Sequence, residues 1–264
     1  MKSESSNSSC CGGVSCCSVY EHDWVEDFLG ESFHPGGPEL SGRSIESLQI
    51  TPGTRVLDIA CGRGSSAVKM AELGANVLAT DASPKQLELA KSKLVGGESI
   101  QFQELRAEAV PEELGPFDGI LCECAFSLVQ DQEKASQAWF KVLAPGGRLS
   151  ISDMIVNQPL PPSLAGEIGN LACLGNAQSV EQYTSILSKA GFQNIVYHDE
   201  GPALLETLSS MKRKLLVYGI SRMAEITNDI GFSLAEMKNA LNDAKSSVKS
   251  GALSYGRISA HKPE

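Results

Sequence analysis

The chain has 264 residues, 42% of them hydrophobic and 20% charged, with a formal net charge of −10. Such a chain can bury a sizeable core, and its charge argues against nucleic acid or an anionic membrane surface as the main partner, because both would repel it. No apolar run reaches the roughly 20 residues of a membrane span, and the first residues lack a secretory apolar stretch, so we expect a cytoplasmic protein.

The first residues combine Ser and Gly with four cysteines in the run "CCGGVSCC". A segment with almost no bulky apolar side chains cannot offset its ordering entropy, so we expect a mobile tail over residues 1–18. An amphipathic helix is predicted in "EHDWVEDFLGESF", and the turn residues Pro35, Gly36 and Gly37 then end it.

Strands and helices alternate along the rest of the chain. Apolar runs predict strands at 55–60, 76–80, 100–105, 117–123, 148–154, 194–198 and 254–262. Helical patterns and caps predict helices at 65–73, 83–94, 132–143, 163–174, 180–190, 203–225 and 234–247. This alternation predicts βαβ units and hence an α/β fold with a doubly wound, mostly parallel sheet.

The first strand leads into "VLDIACGRGSSA", a glycine turn that opens a helix. Gly62 and Gly64 allow a tight turn and a close approach of backbone N–H groups to a ligand, and with Ala67 they also fit a dinucleotide fingerprint. Asp58 discriminates between ligands, because its carboxylate repels a pyrophosphate and suits the ammonium group of S-adenosylmethionine. The alternative is that Asp58 is only a capping or surface carboxylate.

Two further acidic residues extend this cofactor site. Asp81 ends the second strand, where an acidic residue is placed to bind both ribose hydroxyls of a nucleoside. Glu108, in "RAEAVP" after the third strand, is placed to contact the adenine edge.

Five segments together resemble the class I S-adenosylmethionine-dependent methyltransferases: "VLDIACGRG", "ATDAS", "AEAVP", "FDGIL" and "LAPGGRLSISD". The resemblance covers roughly residues 51–195. It implies a Rossmann-like, seven-stranded sheet with an antiparallel last strand and a helical C-terminal insertion. It also implies a cofactor-binding core over residues 19–160 and acceptor-covering helices with the last strands over 161–264, all in one domain. The implied cofactor contacts are Asp58, Cys61, Gly62, Gly64, Asp81, Ala82, Glu108, Ala109 and Glu123.

Four cysteines lie outside the tail. Ligands of a doubly wound sheet bind at the carboxyl ends of the strands, and Cys124 follows the end of the fourth strand. Cys173 lies in the segment after the fifth strand, which typically covers the acceptor. Cys122, inside the strand, is interpreted as core, and Cys61 as filling space in the cofactor loop.

The segments "CAFSLVQDQEKA" and "ACLGNAQSVEQYTSILSKAGF" are similar to those of the arsenite methyltransferase family. The similarity implies that Cys124 and Cys173 are catalytic residues that bind trivalent arsenic, a soft metalloid that prefers thiolates. It also implies glutathione or thioredoxin as the external thiol. The family's further thiol, after the cofactor loop, is absent here; the pairs Cys10–Cys11 or Cys16–Cys17 could replace it.

Other interpretations stay open at this point. Cys124 and Cys173 can be two buried apolar thiols, and the tail cysteines an incidental cluster. The acceptor can be a small organic molecule methylated at O, N or C, with His34 as a base or a lid residue. Glu123 can face the pocket or cap the next turn. The last alternative, of another class, is a protein that binds S-adenosylmethionine without catalysis.

Overall fold

The structure is a computed structural model that describes residues 34–93, 99–217, 227, 229 and 231–264. The expected tail over residues 1–18, the predicted helix before Pro35 and the end of the predicted helix 203–225 lie outside these residues. In the described part of the chain, no helix is long and apolar enough to cross a membrane.

The central element is a seven-stranded sheet with the order β3-β2-β1-β4-β5-β7-β6. The strands are β1 Arg55–Ile59, β2 Asn76–Asp81, β3 Ile100–Glu104, β4 Phe117–Glu123, β5 Leu143–Val156, β6 Gln193–Asp199 and β7 Leu253–His261. Only β7 runs antiparallel to its neighbours, β5 and β6. The predicted doubly wound sheet with an antiparallel last strand is therefore confirmed.

Helices cover both faces of this sheet. In the described ranges they are α1 Gly37–Glu46, α2 Ser65–Glu72, α3 Pro84–Lys93, α4 Gln132–Val142, α5 Gly166–Leu171, α6 Val180–Ala190, α7 Gly201–Val217 and α8 Leu234–Lys249. Helix α1 was not predicted, since the only feature expected between the first helix and β1 was the turn at residues 35–37. The sequence analysis predicted one longer helix at 163–174, where a short 3-10 turn, Pro162–Leu164, precedes α5.

The pairing register of β1 with β2 and β4 places the carboxyl ends of these three strands level with one another at one edge of the sheet. Asp58 in β1 lies opposite Ala79 in β2 and Leu121 in β4, so the carboxyl ends of all three strands meet there. Buried apolar residues on β1, β2 and β4 hold this arrangement, as is usual for parallel strands covered on both faces. The edge is therefore a rigid base for side chains at or just beyond the strand ends.

Two apolar clusters are important for the cleft. One, built around Trp139, Phe126 and Tyr183, lies under α4 and α6 and includes Cys122. The other, which we call the C-terminal cluster, joins α1, α7 and α8 to β5 and β7 and contains Leu40, Met154, Leu164, Cys173, Leu204, Leu208, Leu215, Ala240, Leu241, Ala244, Leu253 and Tyr255. Cys122 and Cys173 thus belong to different clusters.

The capping box of α6 allows a stability test. The backbone N–H of Gln182 donates to the Ser179 hydroxyl, and Gln182 accepts from the Ser179 backbone N–H. We expect Ser179→Ala to lower the free energy of unfolding by about 1 kcal/mol, because an N–H at the helix start loses its partner. Ser185→Ala, at an exposed position of the same helix, is the control and should be neutral or raise stability by a few tenths of a kcal/mol. Equal losses in urea unfolding of both variants would contradict the role of the cap.

Candidate functional site

The glycine loop after β1 folds back onto the end of β2. The backbone N–H of Gly62 donates to Oδ2 of Asp81 at 2.9 Å, and the backbone N–H of Ser83 donates to Oδ1 at 2.8 Å. Gly62 has φ 53° and Gly64, the residue that caps α2, has φ 78°, both in the region that favours glycine. A Cβ on Gly62 would meet no heavy atom within 4 Å, so there is open space beside the loop.

Asp58 lies in β1, just before this loop. It is 3% exposed, and its Oδ2 atom has no hydrogen-bond partner. Burial raises its pKa well above the usual range, and the neighbouring carboxylates of Glu123 and Asp81 raise it further. A buried carboxylate oxygen without a partner is unfavourable, so a cationic ligand group at this position would be stabilising.

Glu123 closes β4 and faces the same region. Its Oε2 atom accepts hydrogen bonds from the hydroxyl of Ser66 on α2, at 2.5 Å, and of Ser41 on α1, at 3.3 Å. Its Oε1 atom is buried without a hydrogen-bond partner, and Nε2 of His34 lies 3.8 Å from it. His34 also lies 3.0 Å from the Ser41 hydroxyl. Both hydroxyls that bind Glu123 belong to helices, α1 and α2, and neither belongs to the turn that follows β4.

The other predicted cofactor residues have local roles. Glu108 accepts a hydrogen bond from the backbone N–H of Gln130 at 3.1 Å, so it ties the turn after β3 to the approach to α4. Ala109 belongs to that turn, and Ala82 follows Asp81. Burial raises the pKa of Cys61 far above its usual range, and its side chain packs against a third apolar cluster, which includes Val56, Ala67 and Met70. Their contacts to a cofactor stay predictions.

The structure brings Cys124 and Cys173 together. Their side chains are hydrogen-bonded, although one follows β4 and the other follows α5. Both residues have positive φ, 52° and 57°, and the backbone N–H of Cys124 donates to the carbonyl of Ser152 at 2.7 Å. Left-handed backbone is uncommon for cysteine, so the surrounding structure holds both thiols in place.

The thiol pair lies against the C-terminal cluster. Cys173 is 4% exposed, and Cys124 is partly buried against the same residues. The hydrogen bond that the Cys124 thiol donates to Cys173, burial, and the negative charge of Asp153 raise the pKa of Cys124, whereas a hydrogen bond received from Tyr255 lowers it. The Cys124 thiol is therefore protonated in the ligand-free protein. Within the described residues no group of three or more His, Cys, Asp or Glu side chains is arranged as a metal site.

Sequence reasoning missed several residues that shape this cleft. Ser41 and Ser66 orient Glu123, and the Tyr255 hydroxyl contacts both Ser152, at 3.2 Å, and Cys124. Asp153 accepts from the backbone N–H of Ser127 at 2.9 Å and so fixes the turn after Cys124. Of these residues, only Ser152 and Asp153 lie in a motif that the sequence analysis had singled out, "LAPGGRLSISD".

Comparison of this sequence with known proteins identifies a family and several related proteins. The profile of a family described as a methyltransferase domain matches residues 50–191. The chain is 26% identical over 221 residues to the methyltransferase GfsG of Streptomyces halstedii. The aligned region covers 78% of this chain and 80% of that protein. It is 29% identical over 189 residues to phosphoethanolamine N-methyltransferase 1 of Zea mays, spanning 69% of this chain but 37% of the maize protein.

A solved structure shows the same fold. Phosphoethanolamine N-methyltransferase 2 of Haemonchus contortus, in complex with phosphomonomethylethanolamine and S-adenosylhomocysteine, superposes with a TM-score of 0.71. The sequence identity is 21%, and the match covers 95% of this chain and 58% of that one.

Asp153 gives the cleft a pH dependence that can be measured. Burial raises its pKa from 3.8 to about 6, against the opposing hydrogen bonds. The folded state therefore holds this proton more tightly than the unfolded state, so the contribution is fully present below the unfolded pKa and is lost as pH rises through about 6. We expect the free energy of unfolding, relative to Asp153→Asn, to be on the order of 1 kcal/mol higher at about pH 5 than at about pH 7.

Urea unfolding of the two proteins at both pH values measures this difference. A difference that is independent of pH, or that grows as pH rises, would show that the Asp153 pKa is not raised. Comparing differences between two proteins removes the contributions of all the other titrating groups that they share.

Proposed function

The chain belongs to the methyltransferase domain family, and on that premise we propose that it methylates trivalent arsenic held by Cys124 and Cys173. Enzyme class and cofactor follow from the family: the chain is an S-adenosylmethionine-dependent methyltransferase. The acceptor is the proposal, and the observation that carries it is the direct contact between the two thiols at the carboxyl edge of the sheet.

The donor end of the cleft fits the cofactor. Asp58 offers an unpartnered carboxylate oxygen for the ammonium group, and the open space beside Gly62 leaves the backbone of the loop accessible to a ligand. Asp81, held by two backbone N–H groups, lies where ribose hydroxyls would be bound. S-adenosylmethionine supplies a methyl group whose C–S bond breaks with its electron pair on sulfur, so the acceptor has to provide the electrons of the new bond.

The thiol pair suits an acceptor of this kind. Arsenic(III) is soft and prefers sulfur ligands. Two thiols can replace two hydroxyls of arsenite, and their protons leave in the two water molecules formed, so the raised pKa of Cys124 does not prevent binding. The bound arsenic keeps a lone pair for the As–C bond and loses no proton. A general base is therefore unnecessary, and the protein acts by positioning the acceptor.

The reaction also defines a need for reductant. Forming the As–C bond raises arsenic from the trivalent to the pentavalent state, and two electrons are required to return it. An external thiol, either glutathione or a thioredoxin, is the proposed source of these electrons. The same thiol would deliver arsenic to Cys124 and Cys173 by thiol exchange.

A second candidate acceptor is a small organic molecule. The relatives from Zea mays and Haemonchus contortus carry the name phosphoethanolamine N-methyltransferase, which favours an amine acceptor. This alternative gives the two thiols no role in the reaction. The contact between Cys124 and Cys173 would then be ordinary packing against the C-terminal cluster.

Substitution of the thiols separates the two acceptors. With S-adenosylmethionine, arsenite and glutathione, we expect the protein to form methylated arsenic, measured by chromatography with mass spectrometry. Cys124→Ser and Cys173→Ser should each lower the rate at least about 100-fold, because an incorrectly held acceptor loses its alignment.

Cys122→Ala is the matched control, since this thiol is buried in the other cluster. We expect it to keep the methylation rate while costing about 1 kcal/mol of stability. Methylation of arsenite that survives both serine substitutions would refute the thiol site. Methylation of phosphoethanolamine that is unaffected by them would establish the organic acceptor.

A binding experiment tests whether the tail cysteines are needed. We expect the full chain with Cys10, Cys11, Cys16 and Cys17 replaced by Ser to retain a single phenylarsine oxide adduct in native mass spectrometry. The adduct should disappear when Cys124→Ser is added, because a vicinal pair of thiols is required. If the variant that lacks only the four tail cysteines already loses the adduct, the tail cysteines, and not Cys124 and Cys173, bind the arsenic.

A further inference from the structure

We propose that Glu123 is the residue that distinguishes the charged donor, S-adenosylmethionine, from its uncharged product, S-adenosylhomocysteine. This inference rests on the proposed function for the cofactor but not on arsenic as the acceptor. The two compounds share the nucleoside, ammonium and carboxylate groups and differ by the methyl group and the positive charge on sulfur. Only a protein group that faces the sulfur can separate them by charge.

The Glu123 carboxylate is fixed with one oxygen available. Its side chain is 9% exposed, and the hydroxyls of Ser41 and Ser66 both donate to Oε2. No hydrogen-bond donor among the described residues reaches Oε1, and the His34 imidazole lies beyond hydrogen-bond distance at 3.8 Å. A buried carboxylate oxygen without a partner suits a cation that cannot donate hydrogen bonds, and a sulfonium is such a cation.

Glu123 also lies between the two ends of the cleft. On the cofactor side its charge raises the pKa of Asp58, and on the other side it raises that of Tyr255, which contacts Cys124. Cys124 is the next residue in the chain. Ligands of a doubly wound sheet bind at the carboxyl ends of the strands, and Glu123 is the last residue of β4. Its carboxylate is therefore placed to face the sulfur of a donor whose ammonium group is held at Asp58.

Asp58 is proposed to bind a different group of the same ligand, the ammonium group. It lies in β1, and its charge acts on Cys61 in the glycine loop and on Cys122. A carboxylate at this end of the cleft would bind the ammonium group, which donor and product share. Asp58 should therefore bind both compounds, whereas Glu123 should bind the donor selectively. Loss of the positive charge on transfer would then weaken the hold of Glu123 on the product and favour its release.

Calorimetry with both compounds tests this division. We expect Glu123→Gln to raise the Kd for S-adenosylmethionine at least about tenfold and that for S-adenosylhomocysteine less than about threefold, because only the donor loses a charge interaction. Asp58→Asn is the matched control and should raise both Kd values by similar factors. Equal weakening of both compounds by Glu123→Gln, or no weakening of either, would overturn the inference.

Two measurements keep the test interpretable. Glu123→Asp keeps the charge but shortens the side chain, so its Kd for the donor should fall between those of wild type and Glu123→Gln. An unchanged ratio of the two Kd values across wild type, Glu123→Asp and any folded Glu123→Gln would again overturn the role of Glu123. Failure of the wild-type protein to bind S-adenosylmethionine refutes the assigned cofactor instead, and binding without arsenic methylation refutes only the proposed acceptor.

Discussion

The convergence of three carboxylates at one edge of the sheet is the constraint on which the cleft depends. Asp58, Asp81 and Glu123 are brought together because β1, β2 and β4 are parallel neighbours whose ends lie level. Like charges in a partly buried site repel one another and are poorly solvated. Backbone N–H groups compensate Asp81 and hydroxyls compensate Glu123, but one oxygen of Asp58 and one of Glu123 have no hydrogen-bond partner. The ligand-free cleft is therefore complementary to a cation.

The environment changes along the same edge from charged to apolar. Beyond Glu123, the chain turns through Cys124, whose thiol meets Cys173 against the C-terminal cluster. An apolar surrounding disfavours a free thiolate but not a neutral arsenic–sulfur bond, whereas a hard metal cation would be poorly solvated there. In the proposed reaction, the donor and the acceptor would therefore meet at a boundary between two kinds of environment, with Glu123 and Cys124 as the adjacent residues on either side of it.

The sequence predicts those features of the site that depend on residues close together in the chain, and it does not predict contacts between distant segments. The strands, the glycine loop, Asp58 and Asp81 were predictable because apolar periodicity and turn residues act over a few positions. The approach of Cys124 to Cys173 was suggested only by a family resemblance, since spacing along the chain does not reveal contact. Ser41 and Ser66 could not be assigned, because they act on Glu123 from other elements, and one of those, α1, was not predicted. Glu108 was predicted to contact adenine, but its hydrogen bond to Gln130 was not foreseen.

Membership of the family identifies the methyl donor but not the methyl acceptor, and the structure suggests a physical reason for this difference. Residues 50–191, which the family profile matches, contain the glycine loop, the three carboxylates and both thiols. Much of the wall against which the thiols pack comes from outside that segment: Leu40 on α1, Leu204 and Leu208 on α7, Leu241 on α8 and Tyr255 on β7. Proteins that share the matched segment can therefore bind one donor and still differ in acceptor, because these flanking elements shape the volume beside Cys124. If the acceptor binds beside Cys124 as proposed, changing these apolar side chains would alter which molecule reaches the methyl group while Asp58, Asp81 and Glu123 keep their places in the sheet.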